Sequence, residues 1–341
     1  MNKAFNPNPT PKVSVVMPVY NADTTVAEAV QSVLTQTFND FEFLIMNDGS
    51  TDESLNVLAH YKDPRIQVHS FSSNQGLIHA LNRGLMLSKG TYVARMDADD
   101  ICHPNRFARQ VQFMDQHPEI GVCGTWSRTF GKRKKRVWTF PPDHESIRGL
   151  LLFQSPLIHP TVFIRTQIQK EFSLDYRLEN AEDYECWVRA SKHTRLGNVP
   201  EVLLDFRVHK NSFTSTRTSE QHRKALSEIF QSQLQHLFPE TETLPLDLHY
   251  AVAQRTRRMR PEQLLQAGEW LMQLRRQNEV HRLYPSKILH PILSRFYLEI
   301  LSKSGASFSF IKRAMNVPIA REVGTMERFK VYFATLIHAF K

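Results

Sequence analysis

The fold is decided by residues 13–46, which read VSVVMPVYNADTTVAEAVQSVLTQTFNDFEFLIM. Residues 13–19 are an apolar, β-branched run, residues 24–36 carry apolar side chains at helical spacing, and residues 41–46 form a second apolar run. Short runs of this kind are typical of strands that are buried on both faces of a parallel sheet. The stretch therefore predicts a strand, a crossover helix and a second strand.

The same alternation continues to residue 96. Its pattern predicts a helix over 53–61, a strand over 66–71, a helix over 76–88 and a strand over 91–96. Repeated strand–helix units predict parallel strands covered by helices. We expect an α/β fold with a Rossmann-like, mostly parallel central sheet in a three-layer α/β/α sandwich.

The last third of the sequence follows a helical pattern only. Apolar residues recur at positions 226, 229, 230, 234, 237 and 238, and again at 329, 332, 333, 336, 337 and 340. We place the boundary near 214–219, which predicts an α/β domain at 1–215 and an α-helical C-terminal region at 216–341.

Composition limits the cellular setting. No apolar run approaches the roughly 20 residues of a membrane-spanning helix, and the polar start MNKAFNPNPTPK lacks the apolar stretch of a secretory signal. Three widely spaced cysteines without a C-x-x-C pair fit a reducing compartment. We predict a cytoplasmic protein, and a peripheral position on the cytoplasmic face of a membrane stays open.

The net charge of +9 is concentrated in the C-terminal part. Residues 1–200 hold 22 Lys and Arg against 21 Asp and Glu, whereas residues 201–341 hold 21 against 13. A basic excess attracts nucleic acid, anionic lipid or an acidic partner, and charge alone does not choose among them. The run KRKKR at 132–136 is expected to be a solvated hairpin or loop tip.

Acidic and turn-forming residues stand where three of the predicted strands end. They are Pro18 with Tyr20 and Asn21, Asn47–Asp48, and Asp97–Asp99. The carboxyl ends of parallel strands form the crevice in which α/β sheets bind ligands. These three loops should therefore line one crevice.

The acidic run Asp97-Ala98-Asp99-Asp100 is the strongest local signal. Carboxylates beside a buried strand are costly unless a cation or hydrogen bonds compensate them, and Mg²⁺ or Mn²⁺ prefers such oxygen ligands together with phosphate. The alternative is that these residues cap a following helix. Asp100 is assigned mainly to capping or to the turn.

Several motifs occur together in a fixed order. They are VSVVMPVYN (13–21), SVLTQTF (32–38), NDGSTD (47–52), NQGL with ALNRGL (74–85), ARMDADD (94–100), P-x-R-F (104–107) and AEDYECWVRA (181–190). Over about residues 12–212 the sequence resembles the family 2 glycosyltransferases of the GT-A fold. The resemblance implies an inverting enzyme that transfers a sugar, of the hexosyl or N-acetylhexosaminyl kind, from a nucleotide diphosphate donor.

The resemblance also implies a donor and metal site. UDP is expected as the nucleotide by family frequency, and Mn²⁺ or Mg²⁺ as the cofactor. The residues carried over for the nucleotide are Pro18, Val19, Tyr20, Asn21, Asp48, Asn82 or its neighbour Arg83, Asp97 and Ala98. The residues carried over for the metal are Asp99, Asp97 and His209. For Asp48 an Asx turn, and for His209 a structural role, are the alternatives.

Catalysis is expected at the second acidic pair, Glu182-Asp183. The resemblance implies that Asp183 is the general base, which removes a proton from the acceptor hydroxyl, and that Glu182 supports it. First-turn acids also favour a helix start. Three further residues are assigned with alternatives: His159 to the acceptor pocket or to a structural role, Trp187 to the core or to an acceptor platform, and Arg207 to the phosphates.

The acceptor is expected to be a glycan or a lipid-linked glycan, and it would be met by the basic C-terminal helices. The stripe at 326–341 either packs on the rest of the protein or contacts an anionic membrane. Two other classes of protein are alternatives to a glycosyltransferase. A nucleotidyltransferase should carry a Gly-rich basic loop where PVYNADTT stands, and a nucleic-acid-binding protein should carry a recognisable motif. No nucleic-acid partner is expected.

Overall fold

The computed structural model describes residues 10–131, 135–208, 219–256 and 259–321, which divide into two compact units. The first unit consists of the described residues up to 144 and from 156 to 208. The second consists of residues 145–155 and the described residues from 219. The predicted boundary near 214–219 lies at the edge of the described residues. The grouping of residues 145–155 with the second unit has no signal in the sequence.

One mixed sheet forms the centre of the first unit. Its strands are β1 Val13–Val19, β2 Phe41–Asn47, β3 Ile66–Ser70, β4 Tyr92–Arg95, β5 Ile101–Cys102, β6 Ile120–Gly131, β7 Val137–Trp138, β8 Phe163–Arg165 and β9 Arg195–Val208. They lie in the order β3-β2-β1-β4-β8-β6-β9-β5, and β7 pairs with β6.

The helices up to residue 190 are α1 Val26–Leu34, α2 Ser54–Ala59, α3 Leu77–Leu87, α4 Arg106–Gln116, α5 His144–Leu151, α6 Thr166–Glu171 and α7 Glu182–Ala190. The helices α1 to α3 and the start of α7 lie where the sequence predicts them. All of α5 except His144 belongs to the second unit. A short 3-10 helix lies at His159–Thr161.

The first four strands run parallel, and they create a switch point. β1 pairs with β2 on one side and with β4 on the other, and β2 pairs with β3. The chain order therefore reverses between β1 and β4, which is where such sheets open a ligand crevice beyond the strand ends. The other half is mixed, because β8 is antiparallel to β4 and β6, whereas β9 is parallel to β6. The expectation of a mostly parallel α/β sheet is confirmed, with this antiparallel insertion.

The core explains why the local predictions succeed. The side chains of β1 and β2 are almost entirely buried, as expected for strands covered on both faces. Helix α3 approaches β1 closely at Gly84, where an added Cβ would stand 2.3 Å from Val16 Cγ1. The absence of a side chain at Gly84 thus sets the distance between this helix and the sheet.

The described part of the second unit is helical. Its helices after residue 218 are Ser219–Leu237, Leu246–Ala253, Pro261–His281, Ser286–Lys303, Phe308–Ala314 and Pro318–Arg321. The predicted apolar positions 226, 229, 230, 234, 237 and 238 are all buried. The predicted stripe at 326–341 lies outside the described residues. Among the helices that are described, none is long and apolar enough to cross a bilayer.

The basic run at 132–136 lies between two antiparallel strands, because β7 pairs with the end of β6. Its described members, Lys135 and Arg136, are exposed. This agrees with the expected solvated position, and residues 132–134 are outside the described part.

Candidate active site

The loop after β1 is tied to the loop after β2. Asn21 has a left-handed backbone with φ 48°, a conformation that asparagine tolerates. Its peptide N–H donates to Ser50 Oγ at 3.1 Å, and its Oδ1 accepts from the Thr51 N–H at 2.9 Å. The side chain of Val19 is buried, so this residue can meet a donor only through its backbone, whereas Tyr20 is 49% exposed.

Asp48 directly follows β2, and its carboxylate binds the backbone of the loop before α3. Its carboxylate is buried, and its two oxygens accept the peptide N–H groups of Gln75 and Gly76, each at 2.9 Å. These bonds reach residues 27 and 28 positions away, so they are not the Asx turn that was the alternative for Asp48. Within the loop, Asn47 Oδ1 accepts from the Ser50 N–H at 3.2 Å. A carboxylate has about four lone-pair sites, so Asp48 retains acceptor capacity for a nucleoside.

The acidic run lies just beyond β4, at the switch point. One carboxylate oxygen from each of Asp97, Asp99 and Asp100 lies within 4.8 Å of the others. The capping alternative is wrong, because the strand β5 follows and the next helix, α4, begins only at Arg106. Ala98 is buried between the acids and packs into the core.

The charge of this cluster is partly compensated by the protein. Arg95, which is buried, forms an ion pair with Asp97. Burial raises the pKa of Asp97, and the nearby carboxylates of Asp99 and Asp183 act in the same direction, against the lowering effect of Arg95. Burial also holds the pKa of Asp100 well above its usual range. Negative charge at this point is therefore unfavourable without a further cation.

The cluster fits a hard divalent cation. Its ligand atoms are carboxylate oxygens, which Mg²⁺ and Mn²⁺ prefer. The Oδ2 atom of Asp100 is buried and has no hydrogen-bond partner among the described residues. Such an orphaned oxygen is costly in a folded protein unless it meets a cation or a proton. The third predicted ligand, His209, lies outside the described residues.

Asp183 lies near this cluster. It is the second residue of α7 and is half-buried, and its charge contributes to the raised pKa of Asp97. Glu182, Asp183 and Glu185 all stand in the first turn of α7, so they also complement the helix dipole. The structure thus brings the two predicted acidic constellations into one region, although they are more than 80 residues apart in the sequence.

The helix that carries Asp183 also carries one of a cluster of buried rings. Trp187 is fully buried, so its ring belongs to the core and the acceptor-platform alternative is not supported. His159 is buried too, with its ring centroid 5.1 Å from that of Tyr176 and 6.0 Å from that of Trp187. Its Nδ1 lies 3.9 Å from Glu182 Oε1. These contacts favour the structural alternative for His159 and join it to Glu182, which precedes Asp183 in the first turn of α7.

Asn82 binds the backbone of a distant loop. Its Nδ2 donates to the carbonyl of Tyr176 at 2.8 Å, and its Oδ1 accepts from the Tyr176 N–H at 2.8 Å. These two bonds favour a positioning role for Asn82, and its contact with the nucleotide stays a prediction. Its neighbour Arg83 is exposed on α3 and remains the alternative.

Arg207 binds the acidic loop and not solvent. Its guanidinium donates to the carbonyl of Asp99 at 2.6 Å and pairs with Glu28 of α1. The expected phosphate contact of Arg207 therefore competes with two protein partners.

Three residues with contacts here were not singled out from the sequence. They are Arg95, Glu28 and Tyr176. Only Arg95 carried a signal, because it stands inside the quoted motif ARMDADD. The other two meet the site through contacts across 94 to 179 positions of sequence. Asp100, which was assigned mainly to capping or to the turn, belongs to the carboxylate cluster.

The chain is similar in sequence to known proteins. Residues 14–171 match the family described as Glycosyl transferase family 2. An uncharacterized glycosyltransferase of Haemophilus influenzae is 33% identical over 229 residues, which are 63% of this chain and 71% of that protein. The chain belongs to glycosyltransferase family 2.

Other relatives of this family 2 glycosyltransferase have more specific names. The O-antigen biosynthesis glycosyltransferase WbnJ of Escherichia coli is 31% identical over 210 residues, which are 59% of this chain and 81% of WbnJ. Membership of the family sets aside the nucleotidyltransferase and nucleic-acid-binding alternatives as the main activity.

Solved structures support the fold. S. aureus TarS 1–349 in complex with UDP-GlcNAc has a TM-score of 0.58 at 18% identity and covers 96% of this chain and 92% of that one. The mannosyltransferase PcManGT from Pyrobaculum calidifontis, in complex with GDP-Man and Mn²⁺, has a TM-score of 0.52 at 15% identity, with coverage of 97% and 87%. The GT-A-like α/β fold followed by helices is thereby confirmed.

Proposed function

We propose that this glycosyltransferase is an inverting enzyme that uses a nucleotide diphosphate sugar, with UDP as the first candidate nucleotide. The observation that carries the proposal is the juxtaposition at the switch point: a carboxylate cluster at the end of β4 with Asp183 close enough to perturb it. Displacement of a diphosphate held at this cluster requires a base near it, and Asp183 is the candidate.

The donor side of the proposal rests on three loops. Tyr20 and Asn21 after β1 and Asp48 after β2 border the same strand ends as Asp97. Their backbone and carboxylate acceptors suit a ribose and a base. Two solved structures of similar fold contain UDP-GlcNAc and GDP-Man, which supports a nucleotide sugar without choosing between the nucleotides.

A divalent cation, Mn²⁺ or Mg²⁺, would be held by Asp99 and Asp97, with Asp100 beside them. Its chemistry there is to neutralise the charge that develops on the leaving diphosphate. Arg95 contributes from the protein side, because its ion pair fixes the carboxylate of Asp97.

The protein supplies the base. The acceptor hydroxyl gives its proton to the Asp183 carboxylate while its oxygen forms a bond to the anomeric carbon. The bond from that carbon to the diphosphate oxygen breaks, and its electron pair leaves with the nucleoside diphosphate. Attack opposite the leaving group inverts the anomeric centre. Glu182 would support this base, and its burial together with its contact to the buried His159 is consistent with that role.

The acceptor is proposed to be a hydroxyl of a glycan or of a lipid-linked glycan in polysaccharide biosynthesis. Support comes from relatives named for O-antigen and amylovoran biosynthesis, each about 30% identical to this chain. A peripheral position at the membrane stays a prediction.

Donor hydrolysis across a panel of UDP- and GDP-sugars, with Mn²⁺ or with EDTA, tests the proposal. We expect one donor to be cleaved and EDTA to abolish the reaction. Asp183→Asn should stop transfer and leave donor binding close to that of the wild type. Absence of metal-dependent turnover of every donor, with no nucleotide binding, would refute the enzyme mechanism. Loss of donor binding in Asp183→Asn would mean that the base is another residue.

A further inference from the structure

We propose that Arg207 is a positioning residue that fixes the acidic loop Asp97–Asp100 in its ligand-holding conformation, with Glu28 as its counterion. The inference rests on the proposed function of that loop in holding a divalent cation. It replaces the expected phosphate contact of Arg207 with a role inside the protein.

Arg207 contacts the loop in two ways. Its peptide N–H donates to Oδ1 of Asp100 at 2.8 Å, and its Nε donates to the carbonyl oxygen of Asp99 at 2.6 Å. The peptide group between Asp99 and Asp100 is therefore held from strand β9, more than 100 residues away in the sequence. Fixing this peptide fixes the direction in which the Asp99 side chain leaves the backbone.

The guanidinium is itself held in place. Its Nη2 pairs with Glu28 on α1, and its carbon lies 4.5 Å from the centroid of the Phe130 ring. The side chain of Arg207 is only 19% exposed, whereas that of Glu28 is 59% exposed. An arginine suits this position because its planar fork can serve a carbonyl and a carboxylate at the same time, which a lysine ammonium does less well.

The same two strands offer a matched control. Arg128 of β6 stands opposite Asp205 of β9, two positions before Arg207, and binds the Asp205 carboxylate through two bonds of 2.8 and 2.7 Å. Removal of Arg128 deletes an arginine and an ion pair from the same part of the sheet. Among the described residues, however, its ion pair is made with Asp205 and not with the acidic loop.

The test is equilibrium binding of Mn²⁺ in the presence of UDP and, in parallel, of GDP. The electron paramagnetic resonance signal of free Mn²⁺ measures the unbound fraction. Arg207→Ala should weaken Mn²⁺ binding roughly tenfold, the size expected for one lost hydrogen bond to or from a charged group. Arg207→Lys and Glu28→Gln should give smaller losses, because each keeps part of the contact. Arg128→Ala should bind Mn²⁺ like the wild type.

The outcomes separate this inference from the proposed function. If wild-type protein binds Mn²⁺ and Arg207→Ala binds it within twofold of the wild type, the positioning role is refuted and the proposed function stands. If Arg128→Ala loses as much affinity as Arg207→Ala, the effect is general destabilisation and the inference fails. If wild-type protein binds Mn²⁺ with neither UDP nor GDP, the proposed function fails and this inference falls with it. Should Arg207→Ala not fold, Arg207→Lys and Glu28→Gln decide, since unchanged Mn²⁺ affinity in both refutes the role.

Discussion

Replacement of Asn82 should act on the loop before α7 and not on the nucleotide. The amide of Asn82 makes two hydrogen bonds of 2.8 Å with the backbone of Tyr176, and Tyr176 precedes the helix that carries Asp183. Each such bond contributes about 1 kcal/mol net, so Asn82→Ala should cost about 2 kcal/mol. A change of this size corresponds to a roughly thirtyfold change in the rate of amide hydrogen exchange through local opening.

Hydrogen exchange followed by mass spectrometry measures this directly. The Tyr176 amide should exchange roughly thirtyfold faster in Asn82→Ala, and kcat should fall because the helix start is less well held. The Michaelis constant for the donor should change little. Normal exchange at Tyr176, together with a raised Michaelis constant for the donor, would refute this reasoning and favour the nucleotide contact of Asn82.

Asn82→Asp gives the same experiment an internal control. The new carboxylate can still accept from the Tyr176 N–H, but at neutral pH it faces the Tyr176 carbonyl where the amide donated. The protonated carboxyl can donate to that carbonyl, so its pKa should be raised in the folded protein. The variant should therefore come closest to wild-type stability at acid pH, and its stability relative to wild type should fall as the pH rises through that pKa. A stability difference from wild type that does not vary with pH would contradict this geometry.

Three further predictions concern stability and reactivity. Burial lowers the pKa of His249 from 6.5 to about 4, so below pH 6.5 the unfolded chain binds a proton that the folded protein does not bind. The free energy of unfolding, measured with urea at several pH values, should be highest above pH 6.5 and fall by about 3 kcal/mol toward pH 4. In His249→Gln the free energy of unfolding should depend less on pH. Gly84→Ala should destabilise by about 1–3 kcal/mol through overpacking on Val16, measured by the shift in urea midpoint. Burial raises the pKa of Cys123 and Cys186 to about 12, so a maleimide at pH 7 should label them only after unfolding, and rapid labelling of native protein would contradict their burial.

The sequence predicted the βα half of the sheet because its signals are local. A buried parallel strand is an apolar run, and a crossover helix has a period of its own, so β1 to β4 and α1 to α3 were found close to their observed bounds. The acidic loop was found for the same reason, since three carboxylates after an apolar strand are unusual at any position.

Contacts between distant parts of the chain could not be predicted in this way. The antiparallel insertion of β8 and the pairing of β6 with β9 depend on which strands meet, and short apolar runs do not specify a partner. The resemblance to the family placed Asn82 at the nucleotide and Arg207 at the phosphates, but a matching motif does not specify the partner of a polar side chain. Their actual partners, the backbone of Tyr176 and of Asp99, carry no signature in side-chain sequence.

Calorimetric titration of UDP and of GDP tests the central claim most directly, because it needs neither the sugar nor the acceptor. It should be run with and without Mn²⁺ on the wild type, Asp99→Asn and Asp183→Asn. We predict that Mn²⁺ strengthens binding of one nucleotide by the wild type at least tenfold, which is about 1.4 kcal/mol. Asp99→Asn should lose this gain, and Asp183→Asn should keep it. Equal nucleotide affinity with and without Mn²⁺ in the wild type, or an unchanged gain in Asp99→Asn, would contradict the metal–diphosphate site.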